Sequence, residues 1–212
     1  MFTINKIGDT ECEISNFVSD GSPDLIIPQV LSGLTVTCIK SEAFFNCACT
    51  GDLVIPDTVE VIESFAFSSG LFKGKLTLGS GVRRIEANAF WMCKFTGPLL
   101  LPPRLEYIGV MAFYWCGFTG RLKIPNKVRM IDDAAFSKCK FISLTFDDLS
   151  GLRSIGEWAF ADNPLRGDVT FPDSLQNMGG KAFLDCDDVE MFVNEHFDKN
   201  ESSSHYDEQN AT

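Results

Sequence analysis

The sequence predicts a β-rich solenoid of about seven turns, closed at its start by a hairpin. Three observations predict it. An Ala-Phe pair recurs with its ring at Phe44, Phe67, Phe90, Phe113, Phe136, Phe160 and Phe183, spaced 23, 23, 23, 23, 24 and 23. An apolar residue stands five positions before each ring: Ile39, Ile62, Ile85, Ile108, Ile131, Ile155 and Met178. Most turns also open on an apolar–x–apolar triplet, such as Leu53/Ile55, Leu76/Leu78, Leu99/Leu101 and Leu122/Ile124. A period in this range marks units that bury apolar positions only against their neighbours.

Each element follows in order. Residues 1–24 lie off the grid; Phe2-Thr3-Ile4 and the segment from Cys12 to Phe17 alternate around Gly8-Asp9, which reads as a hairpin serving as the N-terminal cap. Asp20-Gly21-Ser22-Pro23 is a turn. The repeats occupy 25–193, beginning at Leu25-Ile26-Ile27-Pro28, and the first turn carries about five extra residues over 29–35. Each triplet has the period of a strand, and the Pro after three of them ends it. Second short strands are expected at 59–62, 82–85, 105–108 and 128–131. Gly51, Gly74, Gly97, Gly120 and Gly167 precede new turns and suit a bend with positive φ. The turn at Leu144-Thr145-Phe146 arrives one residue early, and Asp147-Asp148-Leu149-Ser150 is inserted after it. Met191-Phe192-Val193 begins an eighth, incomplete turn, and 194–212 is a polar acidic tail expected to be disordered.

The net charge is −11. From Asp187 onward there are eight acidic residues and one Lys, −7, which leaves −4 for the rest. Nucleic acid rewards clustered cations, so it is not the expected partner. The N-terminus shows no apolar core after a basic start, and no apolar run is long enough to span a bilayer, so a soluble cytoplasmic protein is expected. A cell-surface setting applies instead if the sequence is a trimmed piece.

The phrase L-x-I-P-x-x-V-x-x-I-x-x-x-A-F-x-x-C, seen over 122–139 and in variant form from Leu25 to Val193, resembles the BspA-type leucine-rich repeat. Even the opening fits, since a Cys-bearing strand leads into Ile27-Pro28 and then Val36–Ile39. The resemblance implies a right-handed curved superhelix with parallel sheets along the solenoid. It also implies adhesion or protein binding.

Five of the eight cysteines (Cys47, Cys93, Cys116, Cys139 and Cys186) fall three residues after a repeat Phe; Gly70 and Asn163 fill that slot elsewhere. Stacked in register, their Cβ vectors run side by side, so reduced buried thiols acting as small apolar residues are expected. Cys47-Ala48-Cys49 lacks a second pair at zinc-finger spacing, and no metal or cofactor is expected. The two histidines, His196 and His205, lie in the tail, where no rigid scaffold holds an imidazole beside a nucleophile. Adjacent carboxylates such as Asp132-Asp133 point to opposite faces of a strand, and no enzyme is expected.

Recognition then falls to the variable columns. Lys123 stands between the triplet apolars. Arg84, Tyr107 and Arg129 flank the second-strand isoleucines. Trp91, Met92, Tyr114 and Trp115 follow the repeat Phe where other turns carry Ser68, Ser69, Ala161 and Asp162. Aromatics backed by Arg are the composition of interface hot spots. These eight residues are the expected surface for a protein partner, the chain acting as a non-enzymatic scaffold. Two other readings stand beside it: the rings cover the Phe72, Phe95, Phe118 and Phe141 column as extended core, or the chain is a surface adhesin for extracellular protein or glycan.

Overall fold

A computed structural model of the chain describes residues 1–148 and 150–192. Among them there is no helix; strands one turn apart stack in register. The long sheet starts with the antiparallel hairpin Phe2–Ile7/Glu11–Phe17 and continues in parallel through Leu34–Ile39, Val61–Ile62, Arg84–Ile85, Tyr107–Ile108, Met130–Ile131, Ser154–Ile155 and Asn177–Met178. Shorter parallel sheets form where the triplets stack: Leu25–Ile26 with Leu53–Val54 and Leu76–Thr77, Thr119–Ile124 with Lys140–Phe146, and Arg166–Thr170 with Asp188–Phe192.

Each turn closes at the Ala-Phe corner. The N–H of every repeat Phe through Phe160 donates to the carbonyl of the next turn's Ala at 2.8 Å, as in Phe90→Ala112 and Phe113→Ala135. The corner is tight because the residues two before Phe (through Phe160) and two after it adopt φ between 51° and 61°, as at Met111 and Trp115 or Ala134 and Lys138. Left-handed backbone costs a side-chain-bearing residue about 1–2 kcal/mol. The stacked carbonyls and buried rings hold it in place. No side chain larger than Ala fits at the corner, and the seven repeat alanines are 0–2% exposed.

The strand spacing of about 4.8 Å sets the rings one above another. Neighbouring repeat phenyls stack with centroids 4.8 to 5.5 Å apart from Phe44 to Phe183. Phe17 of the hairpin continues the ladder onto Phe44 at 5.2 Å, and Phe2 lies over Phe17 at 5.1 Å, so the cap covers the open end with the same chemistry. A second ladder, Phe72–Phe95–Phe118–Phe141, meets the first edge-on at 6.0 to 6.4 Å. Cys49 and Leu165, both buried, hold that position in the turns that lack its Phe.

Four expectations need correction. The second strands are two residues long, because their first halves belong to turns closed by bonds such as Val82 N–H→Gly79 O at 3.2 Å and Leu105 N–H→Pro102 O at 3.1 Å. No strand forms at Leu99–Leu101, where Pro98, Pro102 and Pro103 carry no N–H for a ladder; Leu99 is nevertheless buried and Leu100 exposed. Gly97, Gly120 and Gly167 have positive φ, but Gly51 and Gly74 do not. At Gly74 a Cβ would lie 2.1 Å from Asp52 Oδ1, which accepts the Lys75 N–H at 2.8 Å, so close approach demands that glycine. The extra residues of the first turn build a small hairpin, Val30–Leu31 on Leu34–Ile39, around Ser32 (φ 53°) and Gly33 (φ 81°). The Ser-Gly pair between apolar runs was its signal. In the slipped turn, Ile142 bulges between Phe141 and Ser143 and is 56% exposed. Val193, Leu149 and the 194–212 tail with both histidines lie outside the described residues.

Phe113→Ala should destabilise by about 3–5 kcal/mol, the cost of deleting a buried ring. It removes stacking on both sides and the edge contact to Phe118. Phe183→Ala, at a half-buried position, should cost less. Chemical denaturation of the two variants compares them directly.

Candidate functional site

The corner that builds the core also presents side chains outward. Trp91 and Tyr114 follow the repeat Phe directly, and Met92 and Trp115 follow them with φ of 58° and 54°. Inter-turn bonds fix their backbone: Ser69 N–H→Trp91 O at 2.8 Å, Met92 N–H→Tyr114 O at 2.9 Å and Trp115 N–H→Ser137 O at 2.9 Å. Trp91, Met92 and Tyr114 are half-buried, and Trp115 is 49% exposed. The Lys94 ammonium stands 4.9 Å from the Trp115 ring and that of Lys138 5.7 Å from Tyr114. A hydrogen bond with the Tyr114 hydroxyl raises the Lys138 pKa. Such contacts orient exposed rings at a gain of about 0.5–1 kcal/mol each.

The other four predicted residues lie elsewhere in the turn. The Arg84 guanidinium lies 4.4 Å over the Tyr107 ring and bonds Glu86 at 2.7 Å, while the Tyr107 hydroxyl donates to Asp132 at 2.9 Å. Burial first, then this bond to a carboxylate, raises the Tyr107 pKa. That network is self-satisfied. Arg129 belongs to a charged cleft farther along the same turns and donates to Gly151 O at 3.2 Å. Lys123, on the strand Thr119–Ile124, pairs with Asp147, which directly follows the strand Lys140–Phe146. Thus only Trp91, Met92, Tyr114 and Trp115 converge. Lys94 and Lys138, which orient the rings, escaped the list of predicted partner residues; the signal was a Lys two or three positions from an aromatic in a repeat whose turns stack.

The thiol column does more than fill space. Cys93, Cys116, Cys139 and Cys186 donate Sγ–H to the carbonyls of Phe67, Phe90, Phe113 and Phe160 at 3.1 to 3.4 Å. Asn163 makes the same reach to Phe136 O at 2.8 Å. Cys47 lies in the first turn, without an earlier repeat Phe, and meets Cys49 Sγ at 2.9 Å. Burial raises the Cys93 and Cys139 pKa to about 12 and that of Cys116 well above the usual thiol range. Asp132 and Asp133 are both engaged, Asp133 accepting the Glu157 N–H at 2.7 Å. Among the described residues no three His, Cys, Asp or Glu side chains are grouped to hold a metal, and no helix is long and apolar enough to cross a membrane.

A helix-free stack of parallel strands with one buried Ala-Phe corner per turn defines a leucine-rich-repeat solenoid. The profile described as BspA type Leucine rich repeat region matches in six copies over residues 37–163 and 84–211, and the chain belongs to that family. Three solved structures share the fold. One is a leucine-rich repeat protein from Bacteroides ovatus, with a TM-score of 0.56 and 21% identity over 91% of this chain. The chain spans 65% of that protein's length. The T. pallidum leucine-rich repeat protein TpLRR has a TM-score of 0.61 at 19% identity, covering 91% of this chain and 83% of its own. The pneumococcal vaccine antigen PcpA has a TM-score of 0.55 at 19% identity, covering 92% of this chain and 48% of its own. No curated protein matches.

The raised thiols set a pH dependence. Cys93 moves from 9.0 to about 12 on folding, so unfolding releases a proton above pH 9. This contribution to stability is complete below pH 9 and is lost as pH rises towards about 12. Denaturation at successive pH values should show that decline, made shallower by Cys93→Ala. A native-state thiol titration at pH 8 should leave Cys93, Cys116 and Cys139 unreacted while guanidinium exposes them; prompt native labelling of all three contradicts the assignment.

Proposed function

We propose that the chain is a non-enzymatic protein-interaction module that meets its partner through the corner patch of Trp91, Met92, Tyr114 and Trp115. One observation carries the reading. Across the solenoid the corner positions hold one apolar residue in the first and last turns (Phe45-Asn46 and Leu184-Asp185) and small or charged residues in others (Ser68-Ser69, Ser137-Lys138 and Ala161-Asp162), whereas two adjacent turns gather four large side chains, with Trp115 49% exposed. Aromatic anchors ringed by cations are favourable interface centres. Family membership supports an interaction or surface module in the same general sense. Against catalysis stand the structural engagement of Asp132 and Asp133 and the thiols held in their neutral form.

Variants separate the patch from the fold. Trp115→Asn retains a residue that tolerates φ near 54°, and Tyr114→Ala removes the ring beside it. The double variant should unfold within about 1 kcal/mol of the parent, since surface changes cost little. It should lose the partner retained by the immobilised parent, compared by quantitative mass spectrometry. Identical retention by parent and double variant refutes this face.

A further inference from the structure

A second surface lies on the long-sheet side of the turns. Glu60, Arg83, Arg104, Glu106, Lys127 and Arg129 line a cleft of about 500 Å³. Four cations and two carboxylates leave it positive within a chain of net charge −11. The inter-turn bonds Arg83 N–H→Glu60 O, Glu106 N–H→Arg83 O and Arg129 N–H→Glu106 O, each 2.8 Å, stack these residues one per turn. Arg104 and Lys127 stand two positions earlier in the turns of Glu106 and Arg129, forming a parallel row.

Pairing within the cleft is incomplete. Arg83 donates to Glu106 from Nε at 3.1 Å and from Nη2 at 2.9 Å. Among the described residues Arg129 donates to the Gly151 carbonyl at 3.2 Å and forms no ion pair, and its guanidinium lies so close to Gly151 that a Cβ there would come within 1.8 Å of Nη1. Arg104 and Lys127 form no ion pair among the described residues. Among the described residues, three cations of this cleft thus stand without a carboxylate.

We propose that this cleft binds an acidic polypeptide segment of a partner, its carboxylates seated between Arg104, Lys127 and Arg129. Four turns at strand spacing present a row of about 15 Å, the length of a short extended peptide. The alternation Glu60–Arg83–Glu106–Arg129 selects among anions. A phosphate backbone carries like charge at every step and sets phosphates against Glu60 and Glu106. A peptide can place uncharged side chains opposite those carboxylates. The surface is separate from the aromatic corner, so this inference does not rest on the reading proposed for that corner.

The test measures fluorescence anisotropy of a fluorescein-labelled peptide alternating Glu and Ser against the full chain at low salt. The parent should bind it, and binding should weaken as salt screens the charges. Arg104→Glu/Lys127→Glu should weaken it by about tenfold or more, as like-charge juxtaposition does at interfaces. Arg104→Gln/Lys127→Gln should weaken it less, and keeps the test open if the charge reversal fails to fold by circular dichroism. Trp115→Asn should leave this affinity unchanged, so failure here is distinguishable from failure at the corner patch. Absence of parent binding, or unchanged affinity in the folded double variants, overturns the proposal. Equal or tighter binding of an oligothymidylate, or of vesicles containing phosphatidylserine, with the same dependence on Arg104 and Lys127, also overturns it.

Discussion

The spacing between hydrogen-bonded strands, about 4.8 Å, governs this molecule. A planar ring repeated at that spacing can only stack, and the repeat phenyls do so from Phe2 and Phe17 of the hairpin to Phe183. Stacking adds about 0.5–1.5 kcal/mol per pair beyond the area buried. The second ladder, meeting the first edge-on, ties one side of each turn to the next. Strands of two residues would be too short to hold a sheet by themselves. Here they are held because the same turns are already locked by rings, by the corner carbonyls and by the thiol or amide that reaches back to the previous Phe.

That arrangement leaves strain at the corner and freedom on the surface. Residues two before each repeat Phe through Phe160, and two after every one, take left-handed backbone whatever their side chain, so Glu42, Asn88, Met92, Trp115 and Asp162 share one conformation. The backbone does not choose among them. Selection at those positions is therefore free to answer to solvent or partner, and Tyr114 with Trp115, braced by Lys138 and Lys94, exploits that freedom. The charged cleft has a similar origin, since one residue per turn is delivered to the same row by inter-turn bonds. Recognition on this scaffold is a matter of columns rather than pockets.

Much of this was legible along the chain. The Ala-Phe beat placed the first ladder of rings, and the apolar residue five positions earlier placed the long sheet. The hairpin around Gly8-Asp9 followed from alternation. Other features were hidden because they depend on what the neighbouring turn supplies. Gly74 looks like any bend glycine, yet Asp52 of the turn before makes it necessary. The Leu99/Leu101 triplet reads as a strand, but it is flanked by Pro98, Pro102 and Pro103, which carry no N–H, and no strand forms there. The thiols looked like small apolar fillers until their carbonyl partners, a turn away, were in view.

The sequence alone determined the repeat, its register and which residues are buried, because a period of 23 permits only one way of covering seven identical faces. The tertiary structure decided which exposed residues meet. Arg84, Tyr107, Arg129, Lys123 and the aromatic four are evenly spread in the text of the repeat, and each had equal standing there. Stacking assigns them to a self-satisfied network, a charged cleft, an isolated ion pair and one exposed patch. Proximity between turns is a property of the coil's cross-section, which the order of residues does not contain.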